Sequence, residues 1–474
     1  MKIAFVPILI LAATALVIAA GPARAEAPAP PPSGLMIPPP PLIAAPPSPS
    51  GCMFRSDAAH TGCYASMPIP AVKGQLWRIQ TKGAVTTAAF AGGVVYFGSE
   101  DDHLYAVEAA TGRERWRFRA RKDIASSPAV VDGVVYFGSD DEHLYAVDAA
   151  AGTEKWRYKT GGSVESSPTV AGGMVFFGSD DKHLYALDAR SGAERWRFVT
   201  KKGIKGSPAV AGGLVYVADE GGNVYAVDAA AGMERWWFKT DKGVAGSVAI
   251  SEGMLYVGDD GGNLYAIDAA AGQQRGLFKA DKAIEASPAI WGGLLYLPSS
   301  DRQLYAVDVK AAAIKWTVRA EKAIKSSPSV AGGMVFFGSD DGDLYAVDAT
   351  TGEVRWKSRA EKAIEASPLI VNGLVVFGSK DGAVCALNGV EAPPMPLPPP
   401  MPPNVPPGTG VISVPPLAAP PAAPSAPAPA APAAPASPAP APTLPVMPPP
   451  PPPPPEIEPQ TPPPPLQVPP VPGK

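Results

Sequence analysis

Three histidines, His103, His143 and His183, recur at one position of a 40-residue interval, beside the acidic stretches "SEDD", "SDDE" and "SDDK". Histidine and carboxylate are metal-binding types, so the first question is whether they converge. Zinc needs donors about 2 Å from one centre. Equivalent positions of neighbouring repeats sit several strand spacings apart, at about 4.7 Å per strand. Turn residues that do not chelate are the expectation. The three cysteines show no C-x-x-C-H haem signature, no zinc-type spacing and no adjacent pair. A second recurring position holds Ala125, Glu165, Lys205, Ala245, Glu285, Lys325 and Glu365, each just after a Val or Ile. Its charges alternate, Glu165 with Lys205 and then Glu285, Lys325 and Glu365. Two readings stay open for it: a ring of mutual ion pairs, or a polar recognition rim.

The elements that place these residues are legible from the repeat. The phrase Leu-Tyr-Ala begins at 104, 144, 184, 264, 304 and 344, with Val224 opening one further copy and Val384-Cys385-Ala386 closing the series. Within one unit, "IASSPAV" (124–130) ends in a "VDG" turn, and "VVYFGS" (134–139) is β-branched and aromatic. "HLYAVDA" alternates, and "AAGTE" leads by a Gly-containing turn into "KWRYKT" (155–160). Four short antiparallel strands in 40 residues, with no helix, are the content of a propeller blade. The last copy lacks its fourth strand, and an unattached fourth-strand phrase, "QLWRIQT" (75–81), precedes the first copy. That phrase is expected to complete the last blade and close the ring, since closure removes exposed edges. The fold class is therefore all-β, an eight-bladed propeller spanning 75–390.

Composition sets the remaining limits. Proline accounts for 61 of 474 residues and concentrates before Gly51 and after Val390. Residues 26–50 and 391–474 read as Pro-rich arms that favour polyproline II rather than a core; the second would reach roughly 260 Å if extended. Residues 51–74 form a lead-in carrying Cys52 and Cys63. Net charge is −4 with no long basic run, which argues against a nucleic-acid partner. Lys2, the apolar run of 16 from Phe5 to Ala20, and Ala23-Arg24-Ala25 read as a signal peptide over 1–25, cleaved near Ala25. No later stretch is apolar enough to span a membrane, and no Cys stands at the cleavage point to carry a lipid. A periplasmic or secreted protein is expected.

The stretch "AVDAAAGTEKW" (146–156) resembles the tryptophan-docking motif of pyrroloquinoline-quinone-type propellers, Ala-x-Asp-x3-Gly-x3-Trp. It recurs at 186–196, 226–236 and 346–356, and with Glu108 for Asp at 106–116. The resemblance covers about 53–390 and implies that Trp77, Trp116, Trp156, Trp196, Trp236, Trp316 and Trp356 fasten neighbouring blades. The motif fails where Gly276 replaces Trp and where Ala312 replaces Gly; those blades are expected to be held more loosely. The family includes quinone- and calcium-dependent alcohol and sugar dehydrogenases as well as cofactor-free scaffolds. The dehydrogenases use an adjacent Cys pair, calcium ligands and long loops near the axis, none of which this chain offers. The expected function is thus an exported, non-enzymatic envelope binding or scaffold protein without cofactor, a monomer that engages a protein partner. The alternatives are a quinone- and calcium-dependent dehydrogenase and a propeller of outer-membrane protein assembly.

Cys52 and Cys63 fit a disulfide in an oxidising compartment, with Cys385 buried in place of the repeat's Tyr. Thiol counting on denatured, unreduced mature protein should find one free thiol; three would refute the pairing.

Overall fold

The computed structural model describes residues 56–64, 66–309 and 313–390. Eight antiparallel sheets of four strands follow one another along the chain, and one of them gains a short fifth strand from the lead-in. Blades 1 to 7 begin with the strands Ala89–Ala91, Ala129–Val131, Thr169–Ala171, Ala209–Ala211, Ala249–Ser251, Ala289–Trp291 and Ser329–Ala331. No helix occurs among the described residues. The expected export signal, both Pro-rich arms and Cys52 lie outside them.

Each blade follows from its local sequence. The first two strands meet in two-residue turns such as Asp132-Gly133 and Asn372-Gly373, with φ of 50° and 75°, and 48° and 74°. Positive φ at both positions is the hairpin geometry whose twist matches the flanking strands. The second and third strands, Val134–Ser139 and His143–Asp148 in blade 2, are buried almost throughout. They are covered on both faces by neighbouring blades, so alternation fades there. Along the outer strand Glu154–Lys159 it returns, and a bulge between Glu154 and Trp156 turns the indole toward the next blade.

The indoles make the blade junctions. Trp116 Nε1 donates to the Ala149 carbonyl (3.1 Å), Trp156 to Ala189 (3.2 Å), Trp196 to Ala229 (3.0 Å), Trp236 to Ala269 (2.9 Å) and Trp316 to Ala349 (3.2 Å). The Ala149 carbonyl also accepts the Tyr96 hydroxyl, so both of its lone pairs serve the junction. Each indole lies on the motif glycine of the next blade: a Cβ on Gly152 would stand 2.6 Å from the Trp116 ring. The glycine, at φ 70°, is thus required both by the turn and by the close approach of the ring.

The ring closes as expected. Ala71–Gln80 pairs antiparallel with Ala383–Val390, Trp77 facing Ala386, and forms the outer strand of blade 8. It begins earlier than the phrase 75–81 implied. Trp77 docks on blade 1 through the Ala109 carbonyl (2.8 Å). Trp356 has no Ala carbonyl at the equivalent place and uses that of Ile69 (3.0 Å) in the lead-in.

The motif fails at Gly276 and at Ala312, and Ala312 lies outside the described residues. Trp116 meets a glycine 36 positions on, at Gly152; 36 positions beyond Gly276 stands Ala312. By the spacing of the repeat these two positions are counterparts, so one joint, between blades 5 and 6, is expected to lack both indole and glycine. Restoring only one should gain little, since an indole needs the glycine surface. In a double-mutant cycle, Gly276→Trp with Ala312→Gly should show a favourable coupling of about 1–2 kcal/mol. Strictly additive melting shifts would show that the two positions do not meet.

Candidate functional site

The segment before each inner strand places the rim. The sequence suggests a strand over 124–130, whereas the strand covers only Ala129–Val131. The preceding residues spend their donors elsewhere. Ile124 N bonds to the Ser99 carbonyl (3.2 Å), and Ser127 N crosses to the Ser167 hydroxyl of the next blade (3.0 Å). Pro128 has no N–H to give. The same crossing repeats from Ser167 to Ser207 (3.0 Å), Ser207 to Ser247 (2.8 Å), Ser247 to Ser287 (3.0 Å), Ser287 to Ser327 (3.1 Å) and Ser367 to Thr87 (2.9 Å). A belt of hydroxyls thus girdles the axis, each more than nine-tenths buried. Sequence reasoning missed it, although "SSP" and "GSP" at the 40-residue period carried the signal.

Two residues before each of these hydroxyls comes the charged position. Glu165, Lys205, Glu285, Lys325 and Glu365 line, with the hydroxyl belt, an axial cavity of about 210 Å³. Ala125 and Ala245 leave gaps, and blade 1 lacks the position: Val85 packs over Gly378 as Ile124 does over Gly98, and Thr86 already does the work of Ser126. The pairs are Lys205–Glu165 (3.3 Å), Lys205–Glu220 (3.6 Å) and Lys325–Glu285 (3.1 Å). Glu365 departs from the expected alternation and pairs with Lys380 (2.7 Å) of its own blade. Burial pulls the Lys205 ammonium down, but the Glu165, Glu220 and Asp180 carboxylates outweigh it and hold it above its ordinary value. At Lys325 the hydrogen bond to Glu285 is the larger influence and raises it.

The turn acids divide into two kinds. Asp141, Asp181 and Asp341 each accept the Tyr hydroxyl four residues on, at 2.6 to 2.8 Å, and are structural. The residues before them, Asp140, Asp180 and Asp340, lie near the rim carboxylates. Burial, and then the neighbouring Glu165, push the carboxyl of Asp140 up; Asp180 follows the same order, as does Asp340 with Glu365. The Oδ1 atoms of these three are buried with no hydrogen-bond partner among the described residues. His103, His143 and His183 are half-buried, each with Nδ1 against the backbone carbonyl of the Asp two residues earlier and its ring against the Tyr two residues on. They do not converge. Cys385 is buried, and burial raises its thiol.

The opposite end of the axis is filled. The inner-strand N–H groups of Val210, Ile250, Ile290 and Val330 donate to the carbonyls of Ala58, Ala59, Thr61 and Gly62, at 2.6 to 3.0 Å. Cys63 and Tyr64 then pair parallel with Val330 and Ala331. The lead-in therefore straps four consecutive blades, and the cavity above the hydroxyl belt is blind. Ala71 lies opposite Val390 on this strapped side, so the described chain enters and leaves at the face away from the rim.

The residues do not fit a calcium–quinone centre. Among the described residues no group of three His, Cys, Asp or Glu side chains is placed to hold a metal ion. The sequence has no adjacent Cys pair, and the cavity is smaller than the roughly 300–1,000 Å³ of ordinary small-molecule sites.

Comparison with known proteins places this architecture. A family profile described as outer membrane protein assembly factor BamB matches residues 71–179, 160–242, 220–329 and 316–392. Among solved structures, BamB from Moraxella catarrhalis is similar at 17% identity and TM-score 0.58, over 66% of this chain and 99% of that one. The quinohemoprotein alcohol dehydrogenase ADHIIG from Pseudomonas putida is similar at 17% identity and TM-score 0.63, over 75% and 82%. The computationally designed Ika8 protein is similar at 15% identity and TM-score 0.61, over 66% and 99%. No curated protein matches the chain. At these identities the structural likeness speaks to fold alone.

Asp140, Asp180 and Asp340 generate a pH prediction. Their folded-state values are raised, so protonation favours folding, fully so below the ordinary Asp range and progressively less as pH climbs through the raised values. At neutral pH their charges oppose folding. Replacing Asp180 and Asp340 together by Asn should raise the melting temperature near pH 7.5, with the gain shrinking toward zero at about pH 3.5. A gain that is constant across this range would show that the carboxylates are not strained.

Proposed function

Since this chain belongs to the PQQ-repeat family described as outer membrane protein assembly factor BamB, we propose that it is an exported envelope binding or scaffold protein. It engages a protein partner at the rim mouth and carries out no quinone chemistry of its own. The observation that carries this reading is the asymmetry of the axis. One end is sealed by residues 58–62, while the other opens as a polar cup edged by five charged side chains. A channel closed on one side presents a receptor surface rather than a passage.

Two further features support it. The described chain enters and leaves on the strapped face, so its described ends do not cover the rim. Repeats of uniform length supply no long loop on which to build an asymmetric catalytic pocket, and the donor set of a calcium–quinone site is absent from the mouth. A part in outer-membrane protein assembly, the role named by the family description, is the nearest specific form of this reading.

The test replaces Glu165, Lys205, Glu285, Lys325 and Glu365 together by Gln, which removes every rim pair; Glu220 and Lys380 lose their partners but are exposed turn residues that water can solvate. Exposed ion pairs contribute only about 0–1 kcal/mol each, so the fold should survive, as a thermal melt will show. The partner co-purifying from envelope extract with wild type should be lost. An unchanged partner profile would return the rim to a purely structural role. Added quinone and calcium should give no alcohol- or sugar-dependent dye reduction; reproducible turnover would overturn the non-enzymatic half of the proposal.

A further inference from the structure

We infer that the strapped face carries a docking strip for a polyproline segment, and that its occupant is the chain's own stretch "PPMPLPPP", residues 393–400. The inference concerns the face away from the rim and does not rest on the reading of the mouth.

The repeat gives the first sign. The last residue of the inner strand is Ala91, Val131, Ala171, Ala211, Ser251, Ala331 or Val371 in seven blades, and Trp291 in blade 6. An indole thus stands where small or β-branched residues suffice, and it is 40% exposed. The seven docking indoles each donate to a backbone carbonyl. The Trp291 N–H has no acceptor among the described residues. An aromatic body and a free N–H at the surface are the two halves of an amphipathic contact.

Trp291 has apolar neighbours. A Cβ on Gly333, in the next hairpin turn, would stand 4.0 Å from its Cη2. The lead-in crosses the same turn, where a Cβ on Gly332 would stand 2.5 Å from the Met67 carbonyl carbon. Met67 is 39% exposed. Two residues on, Ile69 lies against Gly389, whose Cβ would stand 2.5 Å from the Ile69 side chain, and the adjoining Val390 is 38% exposed. Trp291, Met67 and Val390 are therefore joined by a continuous run of contacts. Scattered exposed apolar residues are ordinary, whereas a contiguous set marks a contact surface.

The place where the described chain ends says what covers it. The strip begins at Val390, and the proline run begins three residues later, at Pro393. At about 3.1 Å per residue, the ten residues 391–400 reach about 31 Å as polyproline II, enough to pass the few residues between Val390 and Trp291. Such a segment is extended before it binds and loses little entropy on docking to an aromatic surface. Its backbone carbonyls have no internal partners and suit the free indole N–H. A tether this short gives an effective concentration in the millimolar range. A contact with a Kd of only about 1 mM is then occupied most of the time.

Hydroxyl-radical footprinting of the purified full chain tests this through the oxidation rates of Trp291 and Met67, resolved by peptide mass spectrometry. Trp237, 49% exposed on the outer strand of blade 4, is the internal control. The variant replaces Pro393, Pro394, Pro396, Pro398, Pro399 and Pro400 together by Ser, outside the propeller, so the melt should not move. In it, Trp291 and Met67 should oxidise about threefold faster than in wild type, with Trp237 unchanged. Equal rates in the two proteins would overturn the inference. Protection that fades on dilution from about 100 to about 1 μM would place a second copy's tail on the strip, and would overturn the assignment to the chain's own segment. Protection seen only after envelope extract is added would give the strip to a partner and overturn it equally. None of these outcomes bears on the partner lost or kept by the five-Gln rim variant, so the two readings stand or fall separately.

Discussion

Everything in this fold depends on an indole lying on a bare backbone. Blades touch through strand faces that are apolar and nearly interchangeable, so apolar contact alone would let neighbours slide. The Trp ring fixes their separation because it occupies the space a Cβ would take on the motif glycine. The Nε1 bond then fixes the offset, and the Tyr hydroxyl sharing the Ala149 carbonyl locks the same point from the adjoining strand. Removing such an aromatic from a packed site costs about 3–5 kcal/mol, and the joint recurs around the ring. Rotation from blade to blade is thereby set, and with it the circle on which the rim residues stand.

That circle explains why unremarkable residues form a site. Ser127 is a small polar residue in an irregular stretch, and Glu165 is a charge after a valine. Neither reads as functional alone. Repetition around an axis brings equivalent side chains toward one volume, where hydroxyls bond sideways across blades and carboxylates crowd. The carboxylates of Asp140, Asp180 and Asp340 are raised by burial and then by the neighbouring Glu165 or Glu365. The strap at the other end makes the cup one-sided, chiefly through carbonyls that accept the inner-strand N–H groups of four blades.

Much of this was legible in the sequence, for a physical reason. Period and strand chemistry are local, so blade count, hairpin turns and the closing strand could be read from residues such as Gly133, Trp156 and Trp77. The rim position was legible because Glu165, Lys205 and their equivalents break an otherwise small or apolar inner segment. What escaped depends on contacts between repeats. The hydroxyl belt needs Ser127 N to look past its own blade, and the strand 124–130 shortened because that donor and Pro128 left the ladder. The strap escaped because most of its bonds to the blades come from the backbone carbonyls of Ala58, Ala59, Thr61 and Gly62, which leave no mark in the sequence. The pairing of Glu365 with Lys380 escaped because the partner sits on a turn 15 positions away in the same blade.

The single joint without an indole has a genealogical consequence. Tandem 40-residue units can be duplicated or lost by unequal exchange between copies of the gene, and among blades 1 to 4 such events are structurally silent, since each Trp there meets a Gly again. Blades 5 and 6 are exempt. Loss of blade 5 would bring Trp236 against Ala312, and loss of blade 6 would bring Gly276 against the vacant surface of Gly352. If Gly276 and Ala312 are counterparts, as the repeat spacing implies, the two units are tied together and the pair travels as one through any later change in blade number.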